Sequence, residues 1–259
     1  MGLGTLVLLR HGESVANARG LFTGVIDVGL TPSGERDCTL AGARLRTAGW
    51  SPDVIVTSEL VRGWRTAELV GEALGTGVAL GTGVEVVRDW RLNERNYGAL
   101  SGYLKTEILE RFGRERFLHW RRSYDGRPPE LSEETLALWR RLPPFDRLPT
   151  AALTATESLA DVVHRMVPWW TDRLVPRLRA GQDVLVVAHG NSLRALCALL
   201  DSLGAEELTA LNLPNARPLL YDFALADDGI PRPVLRGGRY LDPDAARGEA
   251  ALIAAQGGT

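Results

Sequence analysis

The chain has 259 residues, of which 45% are hydrophobic and 24% charged, a balance typical of a globular protein with a sizeable core. Its 30 basic and 32 acidic side chains leave a formal net charge of −2, which argues against a nucleic-acid partner and against attraction to a membrane surface. An anionic ligand would therefore need positive charge gathered in a local pocket. The two cysteines, Cys38 and Cys197, lack zinc-ligand spacing and a disulfide framework, and Cys197 lies in an apolar run as a small buried hydrophobe would.

The first apolar stretch, residues 3–9, is too short to span a bilayer and has no basic segment before it. We expect a buried strand there rather than a leader or an anchor. Since no longer apolar segment follows, we expect a cytoplasmic protein without a membrane partner.

Five short apolar runs predict the strands of a sheet. Three of them are almost continuously hydrophobic, as strands covered on both faces tend to be, and each leads through a small or polar turn into a helical pattern. The predicted strands are residues 5–9, 54–56, 84–87, 184–188 and 219–223.

Helical patterns alternate with these strands at residues 33–48, 59–74, 157–178 and 191–203. The first has a start signal, with Thr31 as the N-cap and Pro32 at the first helical position. The third contains Pro168 and Pro176, which should kink or divide it.

This alternation predicts a three-layer α/β sandwich with a mostly parallel sheet. Residues 100–156 are rich in Arg, Trp and Pro and have no obvious strand, which indicates a helical insertion over one edge of the sheet. We expect one domain over residues 1–259, with the Gly- and Ala-rich residues 237–259 as a mobile tail.

Polar residues follow the predicted strands where ligands bind in parallel sheets, at the carboxyl ends. The first strand leads into Arg10, His11 and Gly12, the strand at 184–188 leads into His189, and the strand at 54–56 leads into a helix that carries Arg62. A glycine after each histidine allows close approach of a ligand, and helix N-termini with neighbouring arginines suit an anion. The pattern therefore predicts an anion site that contains two imidazoles.

Each element of this pattern has an alternative interpretation. A single histidine at a strand end is more often a structural hydrogen-bonding residue, so the prediction depends on the pair. A metal site would need a third clear ligand, and the adjacent arginines would repel a cation, so we expect no metal. His119 and His164 are assigned no functional role.

Six blocks of the chain follow a known family pattern: Leu8–Ser14 with Asn17, Phe22–Gly24, Leu92–Leu100, Trp120–Arg122, Pro128–Glu130 and Ala188–Leu196. On these blocks the sequence resembles the histidine phosphatase superfamily and, within it, the cofactor-dependent phosphoglycerate mutases. The likeness spans most of residues 5–225, and the blocks around Glu94 and Arg121 are the most specific to the mutase branch.

The resemblance implies that His11 is the nucleophile, that Arg10, Arg62 and His189 surround the transferred phosphoryl group, and that Glu94 is the general acid and base. The resemblance also implies a set of residues that contact the substrate. They are Arg10, Ser14, Asn17, Thr23, Gly24, Arg62, Glu94, Tyr97, Lys105, Arg121, Arg122, Gly190 and Asn191. The adjacent arginines of residues 121–122 could instead belong to one solvated basic face with Arg111, Arg114 and Arg116.

The implied reaction interconverts 3-phosphoglycerate and 2-phosphoglycerate and is primed by 2,3-bisphosphoglycerate, without a metal. The expected partner is a small phosphorylated carboxylate, and the family commonly forms dimers or tetramers. The chain departs from the family pattern at Val25, where Trp is usual, at Asn96, where His is frequent, and over residues 131–156. A phosphatase acting on a small phosphate ester is therefore the alternative, and an inactive module that binds phosphorylated ligands is a third hypothesis.

Overall fold

The computed structural model describes residues 2–77 and 83–255. The strands are β1 (Leu6–Arg10), β2 (Val54–Thr57), β3 (Glu85–Arg88), β4 (Val184–Ala188), β5 (Leu219–Tyr221), β6 (Phe223–Leu225), β7 (Pro231–Pro233) and β8 (Arg239–Tyr240). The helices are α1 (Val15–Ala18), α2 (Pro32–Thr47), α3 (Val61–Leu74), α4 (Lys105–Arg122), α5 (Glu133–Trp139), α6 (Leu159–Trp169), α7 (Val175–Arg179), α8 (Gly190–Asp201), α9 (Ala205–Ala210) and α10 (Pro243–Ala255).

The main sheet has the strand order β3-β2-β4-β1-β5-β8. The pairs β3–β2, β2–β4 and β4–β1 are parallel, whereas β5 and β8 join in antiparallel orientation. The prediction of a mostly parallel sheet is thus confirmed. In register, Arg10 lies opposite Ala188, so the residues that follow β1 and β4 emerge side by side at the same edge.

Both faces of the sheet are covered, which explains the continuous hydrophobic runs. Leu6 and Leu8 of β1 face a cluster that includes residues of α6 and α8, while Val7 and Leu9 face a second cluster with residues of α2 and α3. All four of these side chains are at most 1% exposed. Alternate residues of one strand therefore serve two separate layers, and the predicted three-layer architecture is confirmed.

The helix signals read from the sequence act as expected. The Thr31 hydroxyl accepts a hydrogen bond from Gly34 N at 3.0 Å, and Pro32 opens α2. The long pattern at 157–178 is divided: α6 contains Pro168, a π-helical segment covers Trp170–Leu174, and α7 follows with Pro176 in its first turn. The missing N–H of a proline inside a helix disturbs the regular hydrogen-bond ladder, which accounts for the division.

Residues 100–156 contain α4 and α5, and short 3₁₀ turns follow α5 at Phe145–Arg147 and Thr150–Ala152. Gly113, at φ 78° and ψ 164°, interrupts α4 and changes the direction of its second half. The run at 219–223, predicted as one strand, is two strands, because β5 pairs with β1 whereas β6 pairs with β7 in a separate sheet.

The segment from residue 237, expected to be a tail, has secondary structure up to Ala255, and residues 256–259 lie outside the described chain. It contributes β8 and α10. Arg217 pairs with Glu249 of α10, and Arg44 of α2 lies 3.4 Å from Asp242. Among the described residues, no helix combines the length and hydrophobicity that crossing a membrane requires.

Candidate active site

The pairing of β1 with β4 brings His11 and His189 together. The amide of His11 donates to Ala188 O at 2.9 Å, and the two imidazole centroids are 4.9 Å apart. Both rings are buried, with exposures of 2% and 0%. Two segments distant in sequence therefore converge at the carboxyl edge of the sheet, where the strand pattern predicted a site.

The tautomer of His11 follows from the hydrogen bond that its ring makes among the described residues. Nδ1 lies 2.7 Å from Gly12 O, a carbonyl that can only accept, so Nδ1 carries the hydrogen and Nε2 keeps its lone pair. Burial, followed by the charges of Arg62 and Arg10, lowers the pKa of His11 well below its ordinary value. His11 is thus a neutral imidazole whose Nε2 can act as a nucleophile.

The two glycines that follow the histidines differ in what a side chain at their position would contact. A Cβ at position 12 would lie 2.5 Å from Gly34 O and 2.6 Å from Cys38 Sγ, so Gly12 is required by the close passage of α2. A Cβ at position 190 would lie 3.6 Å from Glu94 Oε2 and 3.7 Å from the Arg10 guanidinium, which are ordinary contacts. The expectation that both glycines admit a ligand fits only the second, because a helix occupies the space beside the first.

Ser58 orients the second histidine. Its Oγ lies 2.7 Å from His189 Nε2 and receives a hydrogen bond from Leu60 N at 3.3 Å. The Ser58 hydroxyl can donate to Nε2 of a neutral His189, and we assign the proton of that ring to Nδ1 on this basis. That Nδ1 is buried and has no partner among the described residues. Burial, then Arg62 and His11, lowers the pKa of His189 well below its ordinary value, so a neutral N–H donor remains beside His11.

Arg62 and Arg10 supply the positive charge next to these rings. Arg62 is 1% exposed, and its two terminal nitrogens donate to Ile26 O at 2.9 Å and Gly24 O at 2.7 Å. Burial lowers its pKa to about 10, which still leaves it charged at neutral pH. Arg10 donates through Nη1 to Leu213 O at 2.8 Å, while its Nε is buried without a partner in the described chain.

Glu94 is held at one oxygen. Its Oε1 accepts from Arg95 N at 2.8 Å and from Asn191 N, at the start of α8, at 3.1 Å. The described residues show no hydrogen bond to Oε2, and the side chain is 9% exposed and lines the cavity. One carboxylate oxygen is thus fixed by the protein and the other is left for a ligand.

A second set of cations comes from α4, and we call Lys105, Arg121 and Arg122 the α4 cations. Arg122 donates to Asn212 Oδ1 at 2.7 Å, yet Arg122 Nε and Arg121 Nη1 are buried without partners among the described residues. Burial, then Arg121, lowers the pKa of Lys105 to about 8. Such unpaired buried donors beside a charged cavity are what an anionic ligand would satisfy.

The two arginines of residues 121–122 are 7% and 9% exposed, whereas Arg111, Arg114 and Arg116 are exposed. The alternative of one solvated basic face therefore fails for Arg121 and Arg122, because both side chains are buried and line the cavity.

One cavity gathers most of the residues predicted from sequence, and His189 lies behind it against His11. The predicted residues that line it are Arg10, His11, Asn17, Thr23, Gly24, Arg62, Glu94, Tyr97, Lys105, Arg121, Arg122, Gly190 and Asn191. Ser14 does not line it. It is fully buried and caps α1, where its hydroxyl donates to Asn17 Oδ1 at 2.9 Å, and a substrate contact at Ser14 stays a prediction.

Sequence reasoning missed several residues of this region. Arg194, one turn after Asn191 on α8, donates to Asn191 Oδ1 at 3.0 Å and so turns the amide nitrogen toward Tyr97 OH, 3.1 Å away. Its i+3 spacing from Asn191 was a usable signal. Asn212 and Ile253 also line the cavity, but no local motif marks either of them.

The comparison with protein families decides the assignment. Residues 6–147 and 133–224 match the model of the histidine phosphatase superfamily (branch 1). The chain belongs to the histidine phosphatase superfamily.

The superfamily relatives that resemble it strongly are bacterial proteins named 2,3-bisphosphoglycerate-dependent phosphoglycerate mutase. One from Thermobifida fusca (strain YX) is 48% identical over 255 residues, covering 98% of this chain and 100% of the relative. One from Mycobacterium tuberculosis (strain ATCC 25177 / H37Ra) is 47% identical, with 98% of both chains covered. The resemblance to cofactor-dependent phosphoglycerate mutases inferred from the motifs is confirmed.

Solved structures of the superfamily share the fold. A mycobacterial glucosyl-3-phosphoglycerate phosphatase in complex with VO3 has a TM-score of 0.65 and 25% identity, covering 91% of this chain and 100% of that chain. A protein titled mycobacterial hydrolase 2 has a TM-score of 0.66 and 25% identity, covering 97% and 98%. The predicted fold class is confirmed.

Proposed function

We propose that this enzyme interconverts 3-phosphoglycerate and 2-phosphoglycerate, with 2,3-bisphosphoglycerate as the primer that phosphorylates His11. The observation that carries this function is the neutral imidazole of His11, oriented by Gly12 O, in a cavity that also holds the α4 cations. Relatives 44% to 48% identical bear the mutase name, which supports the choice of substrate.

In the first half-reaction, His11 Nε2 forms a bond to phosphorus as the bond from phosphorus to the leaving oxygen breaks. Glu94, protonated at the start, gives its proton to that oxygen through the unpaired Oε2, so a hydroxyl leaves rather than an alkoxide. In this proposal Arg62, Arg10 and the Nδ1–H of His189 donate to the phosphoryl oxygens. Because phosphoryl transfer has a loose transition state with spread charge, fixed donors of this kind are the main source of rate.

In the second half-reaction, the free hydroxyl of a 3-phosphoglycerate bound to the phosphorylated enzyme attacks the phosphorus of the phosphohistidine, which regenerates the bisphosphate. Glu94 takes the proton of that hydroxyl, the new P–O bond forms, and His11 leaves as a neutral imidazole. The α4 cations hold the carboxylate and the phosphate that is not reacting. Isomerisation requires the bisphosphate to bind in both orientations, and the α4 cations can bind whichever of its two phosphates is not reacting.

A phosphatase on the same scaffold remains the second candidate, because a solved structure similar to this chain is a phosphatase. Hydrolysis would put water in the place of the attacking hydroxyl. The α4 cations favour the mutase, because buried unpaired guanidinium donors are best satisfied by a second anionic group. A cytoplasmic location, assembly into dimers or tetramers and the absence of a metal belong to the same proposal.

The test is turnover of 3-phosphoglycerate by enzyme first freed of acid-labile phosphate, with and without 2,3-bisphosphoglycerate. We expect isomerisation to depend on the bisphosphate and to run much faster than release of inorganic phosphate. Phosphate release faster than isomerisation would replace the mutase with the phosphatase.

A further inference from the structure

Arg165 and Glu157 form an ion pair that the mechanism above does not use. Arg165 Nε lies 2.8 Å from Glu157 Oε1, and both side chains are 11% exposed. Neither residue lines the cavity. A nearly buried ion pair is a weak source of stability, since desolvation offsets most of the attraction, so its further contacts are informative.

The terminal nitrogens of Arg165 donate hydrogen bonds to the backbone next to Glu94. Nη2 donates to Asn93 O at 2.8 Å and to Glu94 O at 3.4 Å, and Nη1 donates to Arg91 O. One guanidinium on α6 therefore holds three carbonyls within residues 91–94. A lysine could not reproduce this, because its ammonium lacks the planar fork of donors.

Glu157 holds the chain on the other side of Glu94. Its Oε2 accepts from Asn96 N at 2.9 Å, and its own amide donates to Asn96 O, also at 2.9 Å. Residues 93–97 lie between two short 3₁₀ turns and belong to no helix or strand. The two charged side chains thus supply much of the hydrogen bonding that fixes this irregular segment.

From these contacts we infer that Arg165 and Glu157 are positioning residues that set the place of the Glu94 carboxyl. The inference rests on the proposed role of Glu94 as acid and base. From the present backbone position Glu94 Oε1 accepts from Asn191 N at 3.1 Å, and a shift of the segment would move Oε2 relative to the substrate oxygen. Misplacement by about 1 Å can lower a rate by about 100-fold.

A leaving group that needs no proton separates this role from a general structural one. The reaction with phosphoglycerate requires protonation of an alcohol oxygen, whereas 4-nitrophenyl phosphate releases a weakly basic phenolate without it. The readout is the ratio of kcat for 3-phosphoglycerate to the single-turnover rate of nitrophenolate release, in which the phosphoryl group ends on His11. Both are measured for wild type, Glu94→Gln, Arg165→Gln and Glu157→Gln. Arg127→Gln is the matched control, since it removes an exposed ion pair to Asp161 of α6 and leaves residues 91–96 untouched.

We expect Arg165→Gln and Glu157→Gln to lower this ratio by about 10- to 100-fold, with KM for 3-phosphoglycerate changed less than about threefold. Arg165→Lys should not rescue, and Arg127→Gln should keep the wild-type ratio. Vanadate affinity, which reports the phosphoryl pocket alone, should stay within about threefold of wild type.

The outcomes distinguish the inference from the proposal beneath it. If Glu94→Gln lowers the ratio but Arg165→Gln and Glu157→Gln leave it unchanged, or lower both reactions and vanadate affinity equally, the positioning role is wrong. If Glu94→Gln itself leaves the ratio unchanged, the assigned acid and base is wrong, and with it the proposed function.

Discussion

We call His11, His189, Arg10 and Arg62 the imidazole end of the cavity. This region and the α4 cations differ in which of their polar atoms have hydrogen-bond partners in the protein. At the imidazole end, His11 is tied to Gly12 O, His189 to Ser58, and Arg62 to two carbonyls. Among the α4 cations, Arg121 Nη1 and Arg122 Nε are buried without partners in the described chain. The imidazole end also has two buried donors without partners among the described residues, Arg10 Nε and His189 Nδ1. Its two rings and Arg62 are nevertheless oriented by protein hydrogen bonds, whereas we expect the anionic groups of a ligand to satisfy the free donors of the α4 cations.

Arg10 connects the two regions electrostatically. Its charge lowers the pKa of His11 and also that of Lys105, whereas the α4 cations do not figure among the causes for His11. We therefore expect changes at the imidazole end to affect chemistry on every substrate. Changes among the α4 cations should affect binding of substrates that carry a second anionic group.

His11→Ala should give the largest effect, because it removes the atom that bonds to phosphorus. We expect kcat to fall by on the order of 10⁴-fold or more for both 3-phosphoglycerate and 4-nitrophenyl phosphate. His119→Ala, at an exposed histidine, is the control and should match wild type. Substantial residual turnover in a folded His11→Ala enzyme would refute the assigned nucleophile.

Arg121→Gln should give a smaller and more selective effect. Loss of one charge-assisted hydrogen bond, about 1.5–3 kcal/mol, predicts a KM for 3-phosphoglycerate raised by about 10- to 100-fold. The rate with 4-nitrophenyl phosphate should change little, since that ester has no second anionic group. Arg114→Gln, exposed on the same helix, should leave both reactions unaffected. Equal losses on both substrates would remove the distinction between the two regions.

The smallest effect concerns pH. Because the pKa of Lys105 is lowered to about 8, this side chain loses its positive charge as pH rises from 7 to 9. We expect kcat/KM for 3-phosphoglycerate to fall by about 3- to 10-fold over that range, and Lys105→Arg to flatten the profile. His11 does not interfere, because burial keeps it neutral throughout. An unchanged profile in Lys105→Arg would assign the titration to another group.

The same two regions differ in how well sequence predicts them. The imidazole end can be predicted from local patterns, because β1 and β4 are short apolar runs and a histidine is the next residue after each strand. The α4 cations were found through the family resemblance, because without it Arg121 and Arg122 look like part of a surface with Arg114.

Long-range contacts explain what sequence did not predict. Ser58, Arg165 and Ile253 act through partners far along the chain, and no local spacing marks these contacts. At Ser14, by contrast, a local signal for the observed contact was available. Ser14 and Asn17 have the i, i+3 spacing of a capping box, and local capping took the hydroxyl that was assigned to substrate.

The most direct measurement is the identity of the phosphorylated atom. Enzyme with ¹⁵N-labelled histidine would be mixed with ³²P-labelled 2,3-bisphosphoglycerate, quenched in alkali and mapped by peptide, with ³¹P–¹⁵N coupling identifying the bonded nitrogen. Since Nδ1 of His11 is held by Gly12 O, the phosphoryl group should be on Nε2 of His11. A label on Nδ1 or on another residue, or no alkali-stable label at all, would contradict the account.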